Sequence, residues 1–289
     1  MSRERRLALS AAALSFVIVN AVRADQSPDL SRSRLVATAA AYVSTYQREF
    51  AFLIADERTV QEAFGVKGPA RVPLGTRVTR GEIFLTFLPG RRQWTIVRDV
   101  AEVDGVAIMN REDLPGLLSR EDPDAVARRL FALNARYNIG GVVRNFNDPM
   151  IALLPLGEAH RSRFAFDVGD TRRSEDGVVL ATLSFRERER PTLVRPPSGG
   201  AAYASGAITL DAATGAIRHT RLTVRYDKIE AELTTEFTRH DRLGLWLPST
   251  FSERYTASAD GFDDLITSES TYTNYRRFEA RGRLVDTQR

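Results

Sequence analysis

Apolar residues at Leu35, Ala39, Tyr42, Tyr46 and Phe50, with Val36 and Val43 on the adjoining row, recur at intervals of three and four. That is the period of an amphipathic helix, and Ser33 stands where its N-cap is expected. A second helix is predicted in "DPDAVARRLFALNARYN", with Asp122 placed to cap it, Pro123 in its first turn and Gly140-Gly141 to end it. A third, shorter helix is predicted in "NDPMIALLPLG", closed by Pro155 and Gly157.

Elsewhere the period drops to two. "GEIFLTF" sets Ile83, Leu85 and Phe87 against Glu82, Phe84 and Thr86, and "RQWTIVRDVAEVDGVAI" runs into Asp104-Gly105, a strong two-residue hairpin signal. "RFAFDVG", "VVLATLSFRERER", "GAITL", "AIRHTRLTVRYD", "IEAELTTEFTR", "LWLPSTFSERYTA" and "SESTYTNYRRFEA" continue the extended pattern. These segments amount to about ten strands. Strand follows strand without crossover helices in the second half, so the pairing is expected to be antiparallel. The fold class expected is α+β, mostly β: a large curved, half-barrel-like antiparallel sheet with about three helices on one face.

Two details bear on curvature and surface. In "GAITLDAATGAIRHTRLTV" (206–224) a five-residue connection uses Gly215 for positive φ, and Ile217 falls out of parity with Leu222, Val224 and Tyr226. A bulge near His219–Arg221 would restore the parity and bend the strand. "SFRERERPTLV", with Arg186, Arg188 and Arg190 opposite Glu187 and Glu189, reads as a solvated strand end, and "RPPSGGAAYASGA" (195–207) as a flexible surface crossing.

Composition changes this picture at the N-terminus. Met1–Arg6 is short and basic, Leu7–Val19 is almost wholly apolar, and Val22 and Ala24 suit the −3 and −1 positions of a signal peptidase. This is the three-part pattern of a secretory signal over 1–24. A run of thirteen apolar residues is short of the roughly 20 that a membrane-spanning helix needs. Residues 25–33 are a polar lead-in, and 34–289 is expected to be one antiparallel β-rich domain in a periplasmic or secreted protein. The full chain is +4, but residues 1–24 hold four arginines against Glu4, so the remainder is only +1. A nucleic-acid partner is therefore not expected. Cysteine is absent, which removes disulfides, thiol nucleophiles and thiolate metal sites.

The chain is poor in catalytic signatures. His160, His219 and His240 have no helical-spacing partner, and there is no G-x-S-x-G elbow, Walker A loop or G-x-G-x-x-G after a strand. The carboxylate pairs Glu112-Asp113, Glu121-Asp122 and Asp263-Asp264 sit beside Gly or Pro, where turns and helix caps account for them. No catalytic residue, metal or cofactor is assigned. Aromatic side chains on the strands stand out instead, and Trp94, Phe164, Phe166, Trp246 and Tyr255 are the candidate lining of an apolar groove.

"WTIVRDVAEVDG", "ARYNIG", "GAITLDAATGAI", "LGLWLPSTFSERY" and "TYTNYRRF", in order from about Arg91 to Phe278, resemble a family of secreted bacterial proteins with no assigned activity. More distantly, the early helix leading into antiparallel strands with a D-x-x-T-G hairpin resembles the periplasmic lipoprotein-carrier superfamily. Lipoprotein-sorting chaperones and envelope-stress sensor domains belong to it. The resemblance implies a half-open barrel whose concave face, covered by helices, holds acyl chains. It transfers no individual contact residue to this chain. The expectation is a non-enzymatic exported protein that binds an acyl chain, lipid or lipoprotein. The alternatives are an envelope protein-interaction module using sheet edges or an Arg-rich face, and a hydrolase whose distant carboxylates converge in the fold.

Overall fold

The computed structural model describes residues 30–50, 52–88, 93–109, 111, 113–142, 144, 147–196, 199–259 and 262–278. The signal pattern of 1–24 lies outside them. Helix α1 (Arg32–Glu49) buries Leu35, Ala39, Val43 and Tyr46, the stripe its period marks, although the cap position is Ser31 rather than Ser33. Strands β1 (Leu53–Lys67), β2 (Ala70–Leu88), β3 (Gln93–Val103) and the two-residue β4 (Val106–Ala107) form a first meander. Asp104 and Gly105 both take positive φ in its last turn.

A helical stretch follows: α2 (Leu114–Arg120), α3 (Pro123–Asn134) and a 3-10 segment, Ile151–Leu156. The sequence pattern does not announce α2. Its cap is Asp113, which accepts from Gly116 N at 2.7 Å, and Asp122 accepts from Ala125 N at 3.2 Å to start α3. Two of the carboxylate pairs thus contribute a helix cap each. The expected third helix is the 3-10 segment, whose interior Pro155 has no N–H for a longer α-helix.

The second meander comprises β5 (Phe164–Arg173), β6 (Val179–Glu187), β7 (Ala204–Asp211), β8 (Ile217–Tyr226), β9 (Ile229–His240), β10 (Leu245–Ala259) and β11 (Phe262–Arg277). Its last strand pairs with β1, from Leu53 opposite Arg277 to Val66 opposite Asp263. This joins the two meanders into one curved open antiparallel sheet of eleven strands, ordered β4-β3-β2-β1-β11-β10-β9-β8-β7-β6-β5. The expected half-barrel-like α+β class is the class observed.

One face of the sheet carries the main core. Leu53 and Ala55, Ile83 and Leu85, Ile266, Phe251 and Tyr255, Leu233, Leu222 and Val224, and Leu183 and Phe185 bury there with α1 and the 3-10 segment. A smaller cluster joins Ile54, Phe84 and Val97, of opposite parity, to Leu114, Leu117 and Leu118 of α2 and Val126 and Leu130 of α3. Helix α3 thus lies against β3 with Val126, Ala127 and Leu130 in the second cluster, while Ala127, Phe131 and Asn134 also line the cavity of the main face. The bulge in β8 falls at Arg218, one residue before the expected stretch: Thr209 opposes His219 and Leu210 opposes Ile217. No helix among the described residues is long and apolar enough to cross a membrane.

Candidate functional site

Beyond Ala55 the inward positions of β1 turn polar: Glu57, Thr59 and Gln61. The same change occurs on β3 at Arg98, on β11 at Ser268 and Ser270, and on β10 at Glu253. These positions share the main face, and together they line a cavity of about 360 Å³ between the sheet, α3 and a cover that includes Asn138, Arg144, Asn147, Asp148, Ile151 and Leu154. Trp94, Ile96 and Val100 of β3, with Phe131, Ile151, Leu154 and Leu193, supply its apolar lining. Ligand sites commonly occupy about 300–1,000 Å³ and pair apolar walls with a few placed polar groups.

Arg98 organises the centre. Its Nε donates to both oxygens of Glu57 at 2.9 and 3.0 Å, and its Nη1 donates to the Asn147 carbonyl at 2.9 Å. Burial favours the neutral form of Arg98, but the Glu57 carboxylate beside it outweighs burial and keeps it protonated. Asn134 of α3 donates to the Arg98 carbonyl at 2.7 Å. Thr235 of β9 donates to the Pro149 carbonyl at 2.8 Å. The segment over the cavity is therefore fastened to β3 and to β9. Asp148 within it accepts from Met150 N at 2.6 Å, and burial pushes its carboxyl up to about 6 against that bond and the charge of Arg98.

Toward β11 and β10 the cavity holds a second polar group. Arg144, 3% exposed, donates through Nη2 to Gln61 Oε1 and to Asn138 Oδ1, the latter at 2.7 Å. Gln61 also accepts from Ile139 N and donates to the Tyr137 carbonyl. Glu253 accepts from the Tyr255 hydroxyl at 2.6 Å. Burial, and then the neighbouring Glu253 charge, hold that phenol neutral.

The aromatic candidates are distributed over the sheet. Trp94 lines the cavity and packs edge-on against Tyr46, Phe50 and Phe87. Tyr255 is fully buried on the main face and reaches the cavity through Glu253. Phe164 and Phe166 are buried on β5 at the far edge, where Phe164 meets Phe185. Trp246 lines a separate hollow of about 250 Å³ near α1, under the guanidinium of Arg218 at 3.4 Å from its ring centre.

The polar residues of the main cavity carry no motif spacing. The legible trace is a loss of apolar character at inward positions of several strands that the sheet brings side by side. Glu187, expected on a solvated strand end, is another such case. It is 3% exposed and accepts from Leu193 N at 2.7 Å and Ala204 N at 3.1 Å, pinning the crossing whose Leu193 reaches the cavity. Among the described residues no group of three or more His, Asp or Glu is placed to hold a metal ion.

No protein-family profile and no curated protein matches the chain. Solved structures show low similarity. A domain assigned to outer membrane lipoprotein sorting, from Vibrio parahaemolyticus, is 10% identical, with 86% of this chain and 95% of that chain covered and a TM-score of 0.35. A lipovitellin structure is 7% identical over 80% of this chain and 26% of that one, with a TM-score of 0.27. The MucA/MucB complex of Pseudomonas aeruginosa is 11% identical over 84% and 99%, with a TM-score of 0.21.

Proposed function

We propose that this is an exported, non-enzymatic binding protein that holds an acyl chain, lipid or lipoprotein in the cavity of its main face. The observation that carries the reading is the cavity itself: about 360 Å³, lined both by apolar side chains such as Trp94, Ile96, Ile151 and Leu193 and by polar ones such as Glu57, Arg98, Arg144 and Ser268. An amphipathic molecule matches that division, because its chain gains roughly 25 cal/mol per Å² of apolar surface buried while its polar end keeps hydrogen bonds. Export rests on the pattern of residues 1–24.

Native mass spectrometry of the protein taken from envelope extract is expected to find co-purified lipid. A fluorescent fatty acid should bind and be displaced by unlabelled chains. Ile96→Trp, which fills the apolar wall, should weaken that binding tenfold or more while thermal unfolding stays cooperative. No co-purified lipid, together with no saturable binding of the fluorescent chain, would remove the reading.

An envelope protein-interaction module is the second reading, and one feature favours it. β5 ends the sheet, and Asp167–Arg173 are exposed along it. Such an edge is a template for strand addition. A photo-crosslinker at Asp170 that captures one discrete envelope protein, from a preparation free of lipid, would support it.

A further inference from the structure

We infer that the Arg144 end of the cavity receives an acyl carbonyl or carboxylate oxygen, so that a bound chain lies with its head at Arg144 and Ser268 and its tail toward Trp94. The inference rests on the proposed acyl-binding reading and adds an orientation and a head-group requirement. Arg144 and Ser268 are each 3% exposed and both line the cavity. Arg144 Nε and Ser268 Oγ are buried with no hydrogen-bond partner among the described residues. Native proteins leave few such groups, and each asks for an acceptor. Arg144 also has no carboxylate at ion-pair distance among the described residues, so its buried charge is met only by the neutral acceptors Gln61 and Asn138. An arginine so placed favours a ligand oxygen strongly.

The two donors belong to one place. Ser268 is opposite Gln61 in the β1–β11 pairing, and Arg144 donates to that same Gln61. Gln61 accepts from Arg144 and Ile139 and donates to the Tyr137 carbonyl, and none of these bonds serves Ser268. Glu253, opposite Ser268 on β10, is a carboxylate of the same cavity, and it accepts from Tyr255. A carbonyl oxygen, which takes two donors and adds no charge, suits this neighbourhood; a carboxylate suits it through Arg144.

Trp94 marks the other end. It pairs with Phe87 on β2 and Gln61 pairs with Arg77, ten positions away on the same strand. Ten positions are about 33 Å of strand. The Trp94 indole N–H is also buried without a partner among the described residues, but it is a single neutral donor set among aromatic rings. It offers a tail apolar surface, whereas the Arg144 end offers a head two donors and a charge.

The test uses hexadecanoate, its methyl ester and hexadecane, together with chains brominated at the terminal carbon or next to the carboxyl. The chain has two tryptophans, so Trp246→Phe leaves Trp94 as the sole indole reporter. The acid and the ester are expected to bind at least tenfold more tightly than the hydrocarbon. Arg144→Met should abolish that preference and Ser268→Ala should reduce it severalfold, the second variant guarding against misfolding of the first. The terminally brominated chain should quench Trp94 more strongly than the head-brominated one. Preference for the acid alone assigns the site to a carboxylate; equal preference for acid and ester assigns it to a carbonyl. Equal binding of all three ligands, unchanged in Ser268→Ala, or quenching in the reverse order, overturns the inference and leaves the acyl-binding reading standing. Absence of binding by every ligand removes that reading itself.

Discussion

Arg98 ties three parts of the molecule together through one residue: Glu57 on β1, the Asn147 carbonyl over the cavity, and Asn134 on α3 through its own carbonyl. Removing one partner of a buried ion pair leaves the other charge without compensation, typically at about 3–5 kcal/mol. Glu57→Gln is therefore expected to lower unfolding stability by that order, read by urea denaturation. Asp148 predicts a pH effect of definite sign. Its folded-state pKa, about 6, lies above its ordinary 3.8. The folded protein thus holds this proton more tightly than the unfolded chain. The contribution to stability is complete below about pH 4 and is lost as pH rises through 6. Relative to Asp148→Asn, the wild-type melting temperature should fall between pH 4 and about 6.5 and run parallel above that range. Parallel curves throughout would contradict this assignment.

Among elements, the β7–β8 hairpin shows how a local turn is conscripted by packing. Gly215 takes φ +78°, and a Cβ there would lie 2.5 Å from the Thr38 carbonyl of α1. The hairpin tip is thus pressed onto the helix that covers the sheet. Gly177 has a similar φ, +82°, but nothing within 4 Å of such a Cβ. Left-handed backbone strain alone is about 1–2 kcal/mol per residue. Gly177→Ala should lose about that much and Gly215→Ala clearly more, a difference that paired thermal melts would read directly. The bulge at Arg218 in the same hairpin turns that side chain onto Trp246, so the kink that restores strand parity also builds the second hollow.

For the whole molecule, the β1–β11 pairing joins residues from opposite ends of the sheet's sequence, such as Leu53 with Arg277, and closes two local meanders into one sheet. That pairing sets Gln61 beside Ser268 and makes the cavity floor. Hairpins, caps and alternation are local, so α1, α3, the Asp104-Gly105 turn, the β7–β8 connection and most strands of the second half were legible along the chain. β1 was not, for a physical reason. Its inward positions beyond Ala55 are Glu57, Thr59 and Gln61, polar because they face the cavity, so the alternation that marks a half-buried strand disappears where the cavity lies. The first part of β2 escaped as well, since Pro73 and Gly75 interrupt it and Val72 and Leu74 are exposed.

The order of hydrophobic and polar residues by itself determined the mostly-β antiparallel class, the helix at its head, the absence of cysteine chemistry and the expectation of export, because each follows from local period, turn chemistry or composition. Only the tertiary structure decided which polar side chains meet. Arg98 with Glu57, Arg144 with Gln61, Gln61 with Ser268, and Glu187 with Leu193 and Ala204 are joined by strand register and loop docking. Charges of this kind read along a chain as solvated surface. They become a cavity floor when a sheet curves and a helix and a covering segment withdraw them from water, where each must find a partner or present itself to a ligand.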